Sequence, residues 1–395
     1  MIKPAIVAVG YNRPDGIKRL LESVGSAKYL SDDIPLVISI DESNRSDEVE
    51  KVARDFAWIH GPKEIRRFPK RQGLRNHIIQ CGDLCEKYGG VIILEDDLIV
   101  AQDFYTYVCK AHETYSRERE ICGVSLYSYR CNVFTHYTFM PTPSENDAYL
   151  GGMVVTWGQS WTLEQWSRFK KWYLEHEGKL PKINPFIPRD ISSWTKSWGR
   201  YFATYMAEYK LSYVYPCISR STCFSDYGEH NKMKISLTYV QVPLMQGEPK
   251  EYRFAPIEKI ERFDAFYEKE LNNSDEIAGI PGSLICVDLN NMKTSAEGKP
   301  YVLTNEKLSL RLIKSFALTL KPIVQNALKS IPGNQIYLYE LSEGEKQIRP
   351  WNGKRPSYSA NLCRLKYEFN DISWRTLIFF APREFYSRLK DVIRG

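Results

Sequence analysis

Long apolar runs and a regular cysteine framework are both missing from this sequence of 395 residues. No stretch approaches the roughly 18 consecutive apolar residues that a membrane-spanning helix needs. The nine cysteines, an odd number at scattered spacings, fit a reducing compartment better than a disulfide scaffold. Met1 to Arg13 lacks the apolar segment and the cleavage site of a secretory signal. We therefore expect a cytoplasmic protein.

Three familiar motifs are absent as well. The sequence contains neither the GxGxxG dinucleotide fingerprint nor the GxxxxGK[ST] phosphate loop, which argues against dinucleotide-binding and P-loop classes. Cys81 and Cys85 are four residues apart, but no second pair of Cys or His completes a structural zinc site. The composition, 43% hydrophobic and 26% charged, is that of an ordinary folded protein and excludes disorder for most of the chain.

Positive charge is concentrated at the end of the chain. From Tyr301 to Gly395 there are 16 Lys and Arg against 8 Asp and Glu, a charge of +8, whereas the remaining residues carry 38 against 40, a charge of −2. Such asymmetry indicates an acidic partner for the tail. No recognised nucleic-acid motif is present, so we expect no nucleic acid and favour anionic lipid.

Apolar residues in the tail recur at helical spacing among basic ones. The pattern predicts one amphipathic helix over Glu306–Ser330, interrupted at Pro322, and a second over Trp374–Arg394. Basic amphipathic helices with aromatic residues are typical of interfacial membrane anchors. Two helices packed on the rest of the protein, with solvated Lys and Arg, are the alternative interpretation.

The first half of the chain alternates strand and helix patterns. Apolar runs at Pro4–Gly10, Pro35–Ile40 and Val91–Leu94 predict buried strands, and helical patterns lie between them. This alternation predicts an α/β fold with a mostly parallel sheet flanked by helices. Ligands of such sheets bind at the carboxyl ends of the strands, where Arg13 and Asp41 fall.

Three adjacent acids, Glu95, Asp96 and Asp97, directly follow the third apolar run. Their mutual repulsion raises at least one pKa unless a cation lies among them. Mg²⁺ and Mn²⁺ take oxygen ligands and usually also hold substrate phosphates, so the triplet indicates a metal–diphosphate site. A solvated acidic loop is the alternative.

These segments resemble glycosyltransferases of the GT-A fold. The nearest likeness is to bacterial sugar transferases of surface-polysaccharide (capsule and O-antigen) clusters, related to N-acetylglucosaminyltransferase I. The resemblance spans about Ile2–Val242 and is carried by PAIVAVGYNRP, SIDES, VIILEDDLIVAQDFYTYV, TWGQSWTLEQW and SRSTCFSDYGEH. It implies a Rossmann-like GT-A sheet, a nucleotide-sugar donor, with UDP preferred, and a Mn²⁺ or Mg²⁺ cofactor.

The resemblance also implies roles for individual residues. Arg13 would contact the nucleotide, Asp41 would accept hydrogen bonds from the base, and His77 would lie beside the nucleotide or its phosphates. Asp96, next to Glu95 in the donor site, would touch the ribose. Plain structural roles stay open, since Asp41 could cap a turn and a histidine on a helix is commonly structural.

The same resemblance places the metal and the donor sugar. Asp97 would ligate the metal, and Trp157 and Gly158 would shape the pocket for the donor sugar and the acceptor. Where the N-acetylglucosaminyltransferase pattern has a Trp-Asp pair whose Asp is the catalytic base, this chain has Trp198-Gly199. Glycine cannot take a proton.

The loop of the SRSTCFSDYGEH segment offers the nearest replacements for that base. Asp226 and Glu229 are the candidate catalytic residues, and His230 could act as a base or contact the metal–diphosphate. Two further explanations are a retaining enzyme that needs no such base and a shift in the register of the resemblance.

The prediction as a whole is a glycosyltransferase that moves a hexosyl or N-acetylhexosaminyl group, with inversion, to a saccharide or lipid-linked saccharide on the cytoplasmic face of the inner membrane. The expected organisation is a GT-A domain over residues 1–250, with a donor half to about 130, a connector over 251–300 and a basic region over 301–395. The alternatives are a sugar nucleotidyltransferase and a non-catalytic scaffold of a polysaccharide assembly complex, which Gly199 keeps open.

Overall fold

The computed structural model describes residues 3–182, 185–224, 240–248, 251–342 and 358–368, together with a few single positions. The chain divides into two compact units. The first unit comprises Met1–Phe134, Pro141–Phe224 and Tyr239–Lys269, and the second comprises Thr135–Met140, Ser225–Thr238 and Glu270–Gly395. Within the described residues, no helix is both long and apolar enough to cross a bilayer.

The first unit begins with the predicted alternation of strands and helices. Apart from Ser39 and Gly10, the first two strands consist of aliphatic residues, and every position of both strands is buried. The first helix begins at Pro14, where the missing N–H of proline costs nothing, and buries one apolar stripe. The elements are β1 (Ala5–Gly10), α1 (Pro14–Gly25), β2 (Leu36–Ile40), α2 (Ser46–Asp55) and β3 (Lys63–Arg67).

The rest of the first unit adds five α-helices and eight further strands. In order these are α3 (Leu74–Gly82), α4 (Cys85–Tyr88), β4 (Gly90–Glu95), β5 (Leu98–Val100), α5 (Phe104–Tyr115), β6 (Ile121–Ser125), β7 (Ala148–Gly151), β8 (Gln159–Thr162), α6 (Leu163–His176), α7 (Trp198–Tyr209), β9 (Ser212–Pro216), β10 (Ser221–Cys223) and β11 (Arg262–Phe263). A capping box between Thr162 and Gln165 starts α6.

Nine of these strands form one sheet in the order β11-β7-β9-β6-β8-β4-β1-β2-β3. Strands β3, β2, β1 and β4 are parallel neighbours, and β8 runs antiparallel between β4 and β6. Strands β5 and β10 pair separately as an antiparallel ribbon. The predicted α/β fold with a mostly parallel sheet flanked by helices is confirmed.

Aromatic side chains build much of the core beside this sheet. Trp161, Trp166 and Trp198 are all buried, and the Trp161 indole donates a hydrogen bond of 2.9 Å to the hydroxyl of Tyr213. The structure places all three in the core.

The second unit contains a four-stranded sheet in the order β14-β15-β17-β16 and a short hairpin. An apolar cluster that includes Ile285, Leu303 and Leu338 is packed on this sheet. The elements are β12 (Glu276–Ile277), β13 (Ile280–Pro281), β14 (Ile285–Asp288), β15 (Tyr301–Thr304), β16 (Arg311–Phe316), α8 (Gln325–Leu328), β17 (Ile336–Glu340) and α9 (Tyr358–Glu368).

The predicted helix over Glu306–Ser330 is wrong. Its centre is strand β16, which pairs antiparallel with β17. Within the predicted range only the four residues of α8 form an α-helix. The apolar spacing fitted a helix, but pairing with β17 satisfies the backbone and buries Phe316 completely. The second predicted helix, Trp374–Arg394, lies outside the described residues apart from single positions and stays a prediction.

Candidate active site

Three neighbouring parallel strands bring the predicted site residues to one edge of the sheet. Strands β2, β1 and β4 lie side by side, so the residues that follow them, Asp41, Arg13 and the acid triplet, meet at their carboxyl ends. Gly16 of α1 allows the close approach, because a Cβ there would lie 2.6 Å from the backbone oxygen of Asp96.

Arg13 binds two of the three acids directly. One guanidinium nitrogen donates to Asp96 Oδ1, and the other lies 3.5 Å from Asp97 Oδ2. Asp96 is 3% exposed, and its second oxygen, Oδ2, is buried with no hydrogen-bond partner within the described part of the chain. Asp97 keeps 19% of its side chain exposed. The cluster therefore holds its charges in place and retains unused carboxylate oxygen.

The electrostatics of this cluster follow from its burial. Burial and repulsion by its two neighbours raise the pKa of Glu95 to about 8. Burial raises the pKa of Asp96 to about 6, although Arg13 opposes the shift. Burial also disfavours the charged form of Arg13, but Asp96 and Asp97 outweigh it and raise the pKa of that guanidinium above its usual value. A further cation would stabilise the ionised triplet.

Asp41 is almost completely buried, with 2% of its surface exposed. Its Oδ1 accepts hydrogen bonds from the backbone N–H of Glu42 at 2.9 Å and of Gln72 at 2.7 Å, and its Oδ2 accepts one from Gly73 at 2.9 Å. Gly73 has a φ of 77° and precedes α3. Asp41 thus fixes the loop that leads into α3, a structural role, and base recognition by its carboxylate stays a prediction.

His77 lies on the buried face of α3 and not on the open edge. Its Nε2 is 2.8 Å from the hydroxyl of Ser39 on β2, and its ring packs edge-on against Phe68 at 5.3 Å between centroids. Burial lowers the pKa of His77 to about 4, against the attraction of Asp41. This environment keeps the imidazole neutral and makes it part of the support for the Asp41 loop.

The Trp157-Gly158 pair lies just before β8, where β10 holds its backbone. The hydroxyl of Ser221 donates a hydrogen bond of 2.6 Å to the carbonyl of Trp157. Gly158 has a φ of 96°, and a Cβ there would lie 3.1 Å from that same hydroxyl, so a glycine is required. The partly exposed Trp157 ring packs on Tyr127 at 4.8 Å between centroids.

The ribbon of β5 and β10 joins this pair to the acid triplet. Strand β5 begins directly after Asp97, whose carbonyl accepts a hydrogen bond of 2.8 Å from the N–H of Phe224 just after β10. The three candidates Asp226, Glu229 and His230 lie outside the described residues. Their predicted roles therefore stay predictions.

Gly199 occupies the first turn of α7, where the resemblance had placed a catalytic carboxylate. A Cβ at this position would be 3.2 Å from the hydroxyl of Ser197, a tight contact, and 3.5 and 3.6 Å from the ring of Trp194 and the methyl group of Thr156, which are ordinary contacts. A larger side chain at this position would thus point toward the segment just before Trp157. Gly199 itself supplies no proton acceptor.

Two further arginines near this edge were not predicted from the sequence. The guanidinium of Arg71 lies over the ring of Tyr11, 5.2 Å from its centroid, in the loop that Asp41 holds. Arg75, on the first turn of α3, donates a hydrogen bond of 3.2 Å to the hydroxyl of Tyr201 on α7. The run of basic residues from Arg66 to Arg75 was the signal available in the sequence.

The donor set at the triplet fits a hard divalent cation that shares its coordination with phosphates. No group of three or more His, Cys, Asp or Glu side chains able to hold a metal occurs among the residues the structure describes. Mg²⁺, however, is usually bound through one or two carboxylates plus substrate phosphates and water. Asp97, partly exposed, and the unpartnered oxygen of Asp96 are ligands of the right chemistry for this arrangement.

No protein-family model matches the chain, and no curated protein does. Parts of many solved structures are similar to it, and three of them are described here. The mannosyltransferase PcManGT from Pyrobaculum calidifontis, in complex with GDP-Man and Mn²⁺, is 14% identical over 46% of this chain and 48% of its own, with a TM-score of 0.31. TarS 1–349 of S. aureus is 11% identical over 56% and 60%, with a TM-score of 0.34.

GalNAc-T7 with UDP, GalNAc and Mn²⁺ is 14% identical over 56% of this chain and 44% of its own, with a TM-score of 0.37. The chain thus spans 48% of the first of these structures, 60% of the second and 44% of the third. With TM-scores this low, the likeness is partial. The order and directions of the strands in the nine-stranded sheet define the fold.

Proposed function

We propose that the chain is a GT-A-type glycosyltransferase that moves a sugar from a nucleotide-sugar donor, preferably a UDP-sugar, to a saccharide acceptor. The observation that carries the proposal is the cluster of Arg13 with Asp96 and Asp97 at the carboxyl ends of β1 and β4. It supports the metal–diphosphate site that the acid triplet predicted. The sequence resemblance over Ile2–Val242 adds the reaction class.

A Mn²⁺ or Mg²⁺ ion held by Asp97, with His230 as a second candidate ligand, would neutralise the charge of the departing diphosphate. Residues of the chain would position the metal ligands and the sugar. Arg13 orients the carboxylates of Asp96 and Asp97 through its two nitrogens, and Asp41 fixes the loop with Arg71. The partly exposed Trp157 ring gives the sugar an apolar face to pack on.

The proposed reaction also needs a residue for acid–base chemistry. Inverting transfer needs a carboxylate that accepts the proton of the acceptor hydroxyl, which typically contributes about 10²–10⁴-fold in rate. We assign this role to Asp226 or Glu229, the two acids nearest in sequence to β10. The finer proposal is a hexosyl or N-acetylhexosaminyl transfer to a lipid-linked saccharide during synthesis of a bacterial surface polysaccharide, on the cytoplasmic face of the inner membrane.

The test is binding of UDP and UDP-sugars with and without Mn²⁺, detected as a rise in the Tm of thermal unfolding. Ligand at about 100 times its Kd stabilises the folded protein by roughly 2.7 kcal/mol, which raises Tm by several degrees. We expect such a shift only with metal and nucleotide together. Asp97→Asn should abolish it, whereas Asp55→Asn, on the exposed face of α2, should keep it.

Transfer of the stabilising sugar to a saccharide acceptor then establishes the reaction. Release of pyrophosphate from a nucleoside triphosphate and a sugar phosphate would instead establish a nucleotidyltransferase. A folded protein that no nucleotide stabilises, with or without metal, would contradict the enzyme proposal and favour a scaffold.

A further inference from the structure

Gln159, the first residue of β8, has a fully buried side chain whose polar atoms have no partner. It is 0% exposed, and neither its amide nitrogen nor its amide oxygen makes a hydrogen bond to any residue that the structure describes. A carboxamide can donate two hydrogen bonds and accept two. Burial of such a group without any of them costs free energy and is uncommon in native proteins. The position of Gln159 in the sheet suggests what would pair with it.

The register of β8 places Gln159 beside the acid triplet. Gln159 is directly opposite Ile93 of β4 in an antiparallel pair, so the two side chains lie on the same face of the sheet. Glu95 lies two residues farther along β4, toward its carboxyl end, and faces the same side. Diagonal neighbours of this kind are about 7–8 Å apart, within reach of long side chains. Gln159 and Glu95 can therefore contact one small polar group between them.

The first turn of α7 covers this face of β8. Trp161, two residues after Gln159 on the same face, packs edge-on against Trp198, the first residue of α7, with 5.6 Å between centroids. The backbone of Gly199 comes close to the segment before β8, since a Cβ there would be 3.6 Å from the methyl group of Thr156. Gln159 is thus enclosed on the side of the helix.

Two partly exposed residues, Glu95 and Trp157, lie between Gln159 and the open edge of the sheet. The backbone from Trp157 to Gln159 is fixed by the φ of 96° at Gly158 and by the hydrogen bond of 2.6 Å from Ser221 to the carbonyl of Trp157. A ligand that enters over Trp157 would therefore meet the carboxamide in a set position.

We propose that Gln159 is a specificity-determining residue, which binds one hydroxyl group of the transferred sugar on the side of Glu95. A sugar hydroxyl both donates and accepts, so it can donate to the carboxyl group of Glu95 and accept from the amide of Gln159. The carboxamide would then be paired only in the complex, which favours a sugar that carries this hydroxyl over one that lacks it. The inference rests on the proposed function, because it takes the donor to be a nucleotide-sugar.

The first experiment needs no variant. Isothermal titration of the full chain with Mn²⁺ gives the Kd of UDP and of UDP-glucose, UDP-galactose, UDP-N-acetylglucosamine and UDP-N-acetylgalactosamine. For the sugar that adds affinity over UDP, analogues follow in which each hydroxyl in turn is replaced by hydrogen. We expect one analogue to bind about 10- to 100-fold more weakly than its parent, because it leaves buried polar groups unpaired. No gain from any sugar, or equal binding of every analogue, would overturn the proposal.

The second experiment uses Gln159→Met, which removes the amide and keeps the length of the side chain. This variant should bind UDP as the unchanged protein does and the parent UDP-sugar about tenfold more weakly. It should no longer distinguish the parent from the deoxy analogue. Without ligand its Tm should rise by a few degrees, because it no longer buries an unpaired amide. Gln159→Leu is the second variant, with the same expectations.

Asn305, directly after β15 in the second unit, supplies a matched control. It is 3% exposed, and within the described part of the chain both of its amide atoms also lack a partner. Asn305→Leu should therefore raise the Tm as well. Its discrimination between the parent UDP-sugar and the deoxy analogue should equal that of the unchanged protein.

Three results with the variants would overturn the proposal. A lower Tm of both Gln159 variants would show that the amide is already paired in the free protein, for instance by a buried water. Discrimination that both Gln159 variants retain, or that Asn305→Leu also loses, would show that Gln159 does not select the sugar. In each case metal-dependent binding of UDP would leave the proposed function standing. Failure of UDP and of every UDP-sugar to bind, with or without Mn²⁺, would instead refute the proposed function itself.

Discussion

The backbone hydrogen bonds of Asp41 lead to a prediction that separates its two possible roles. Asp41→Asn keeps the shape of the side chain but replaces one acceptor oxygen with an NH₂ group. Three backbone N–H groups, from Glu42, Gln72 and Gly73, now converge on the carboxylate. In the variant at least one of them faces a donor and loses its partner.

The magnitude follows from those contacts. Hydrogen bonds to a charged group contribute about 1.5–3 kcal/mol each, and a buried unsatisfied donor costs about 1–3 kcal/mol. We therefore expect the variant to lose about 2–3 kcal/mol of unfolding free energy. For a unit of this size each kcal/mol corresponds to about 2–4 °C, so Tm should fall by about 4–12 °C. Asp41→Ala, which leaves three donors unmatched, should lose more.

Tryptophan fluorescence is a suitable assay, because seven of the nine tryptophans belong to the first unit. Hydrogen exchange at Gln72 and Gly73 adds a local measurement and should become faster in the variant. Asp55→Asn serves as the control, because its side chain is exposed and paired only across one helical turn.

One result would refute the structural role of Asp41. A variant with unchanged unfolding and unchanged exchange at residues 72 and 73, but with weakened nucleotide binding, would show that the carboxylate acts on the ligand alone. Loss of stability in the absence of any nucleotide, as we expect, would show that the carboxylate first of all holds the loop.

Two further predictions concern buried charged groups. Arg220→Met should lower the free energy of unfolding in urea by about 3–5 kcal/mol, because it leaves the buried carboxylate of Asp103, 1% exposed, without its cation. Replacing Asp103 by Leu in the same variant should recover part of this loss. No recovery would contradict the explanation. Burial lowers the pKa of His112 to about 3, whereas in the unfolded chain it is near 6.5. Between these two pH values the unfolded chain therefore binds more protons than the folded one. The free energy of unfolding consequently falls as the pH decreases from about 6.5 to about 3, by roughly 5 kcal/mol in total. His112→Asn should flatten this acid limb in pH-dependent unfolding, and an unchanged limb would assign it to other groups.

The tail shows where sequence patterns mislead. Leu312 and Phe316 of β16 are four residues apart, a spacing that fits one face of a helix and equally one face of an alternating strand. Whether this segment forms a helix or a strand depended on β17, which lies about twenty residues later in the chain. Pairing of β16 with β17 satisfies the backbone hydrogen bonds of both strands. A local pattern contains no information about such a distant partner.

The site shows a different limit. Apolar strands followed by polar residues predicted that Arg13, Asp41 and the acid triplet share one edge of the sheet, and the structure confirms that edge. The sequence could not show that Arg13 bridges Asp96 and Asp97, or that Asp41 is occupied by backbone donors. Those contacts depend on the angles of loops between strands.

The order of strands and helices, the parallel sheet and its polar edge were determined by the sequence itself, because apolar periodicity and strand ends are local properties. Only the tertiary structure decided that His77 is a buried support, that β16 is a strand, and that Gln159 lies on the same face of the sheet as Glu95. Each of these depends on neighbours far apart in sequence. Burial and pairing arise only when the chain brings those neighbours together.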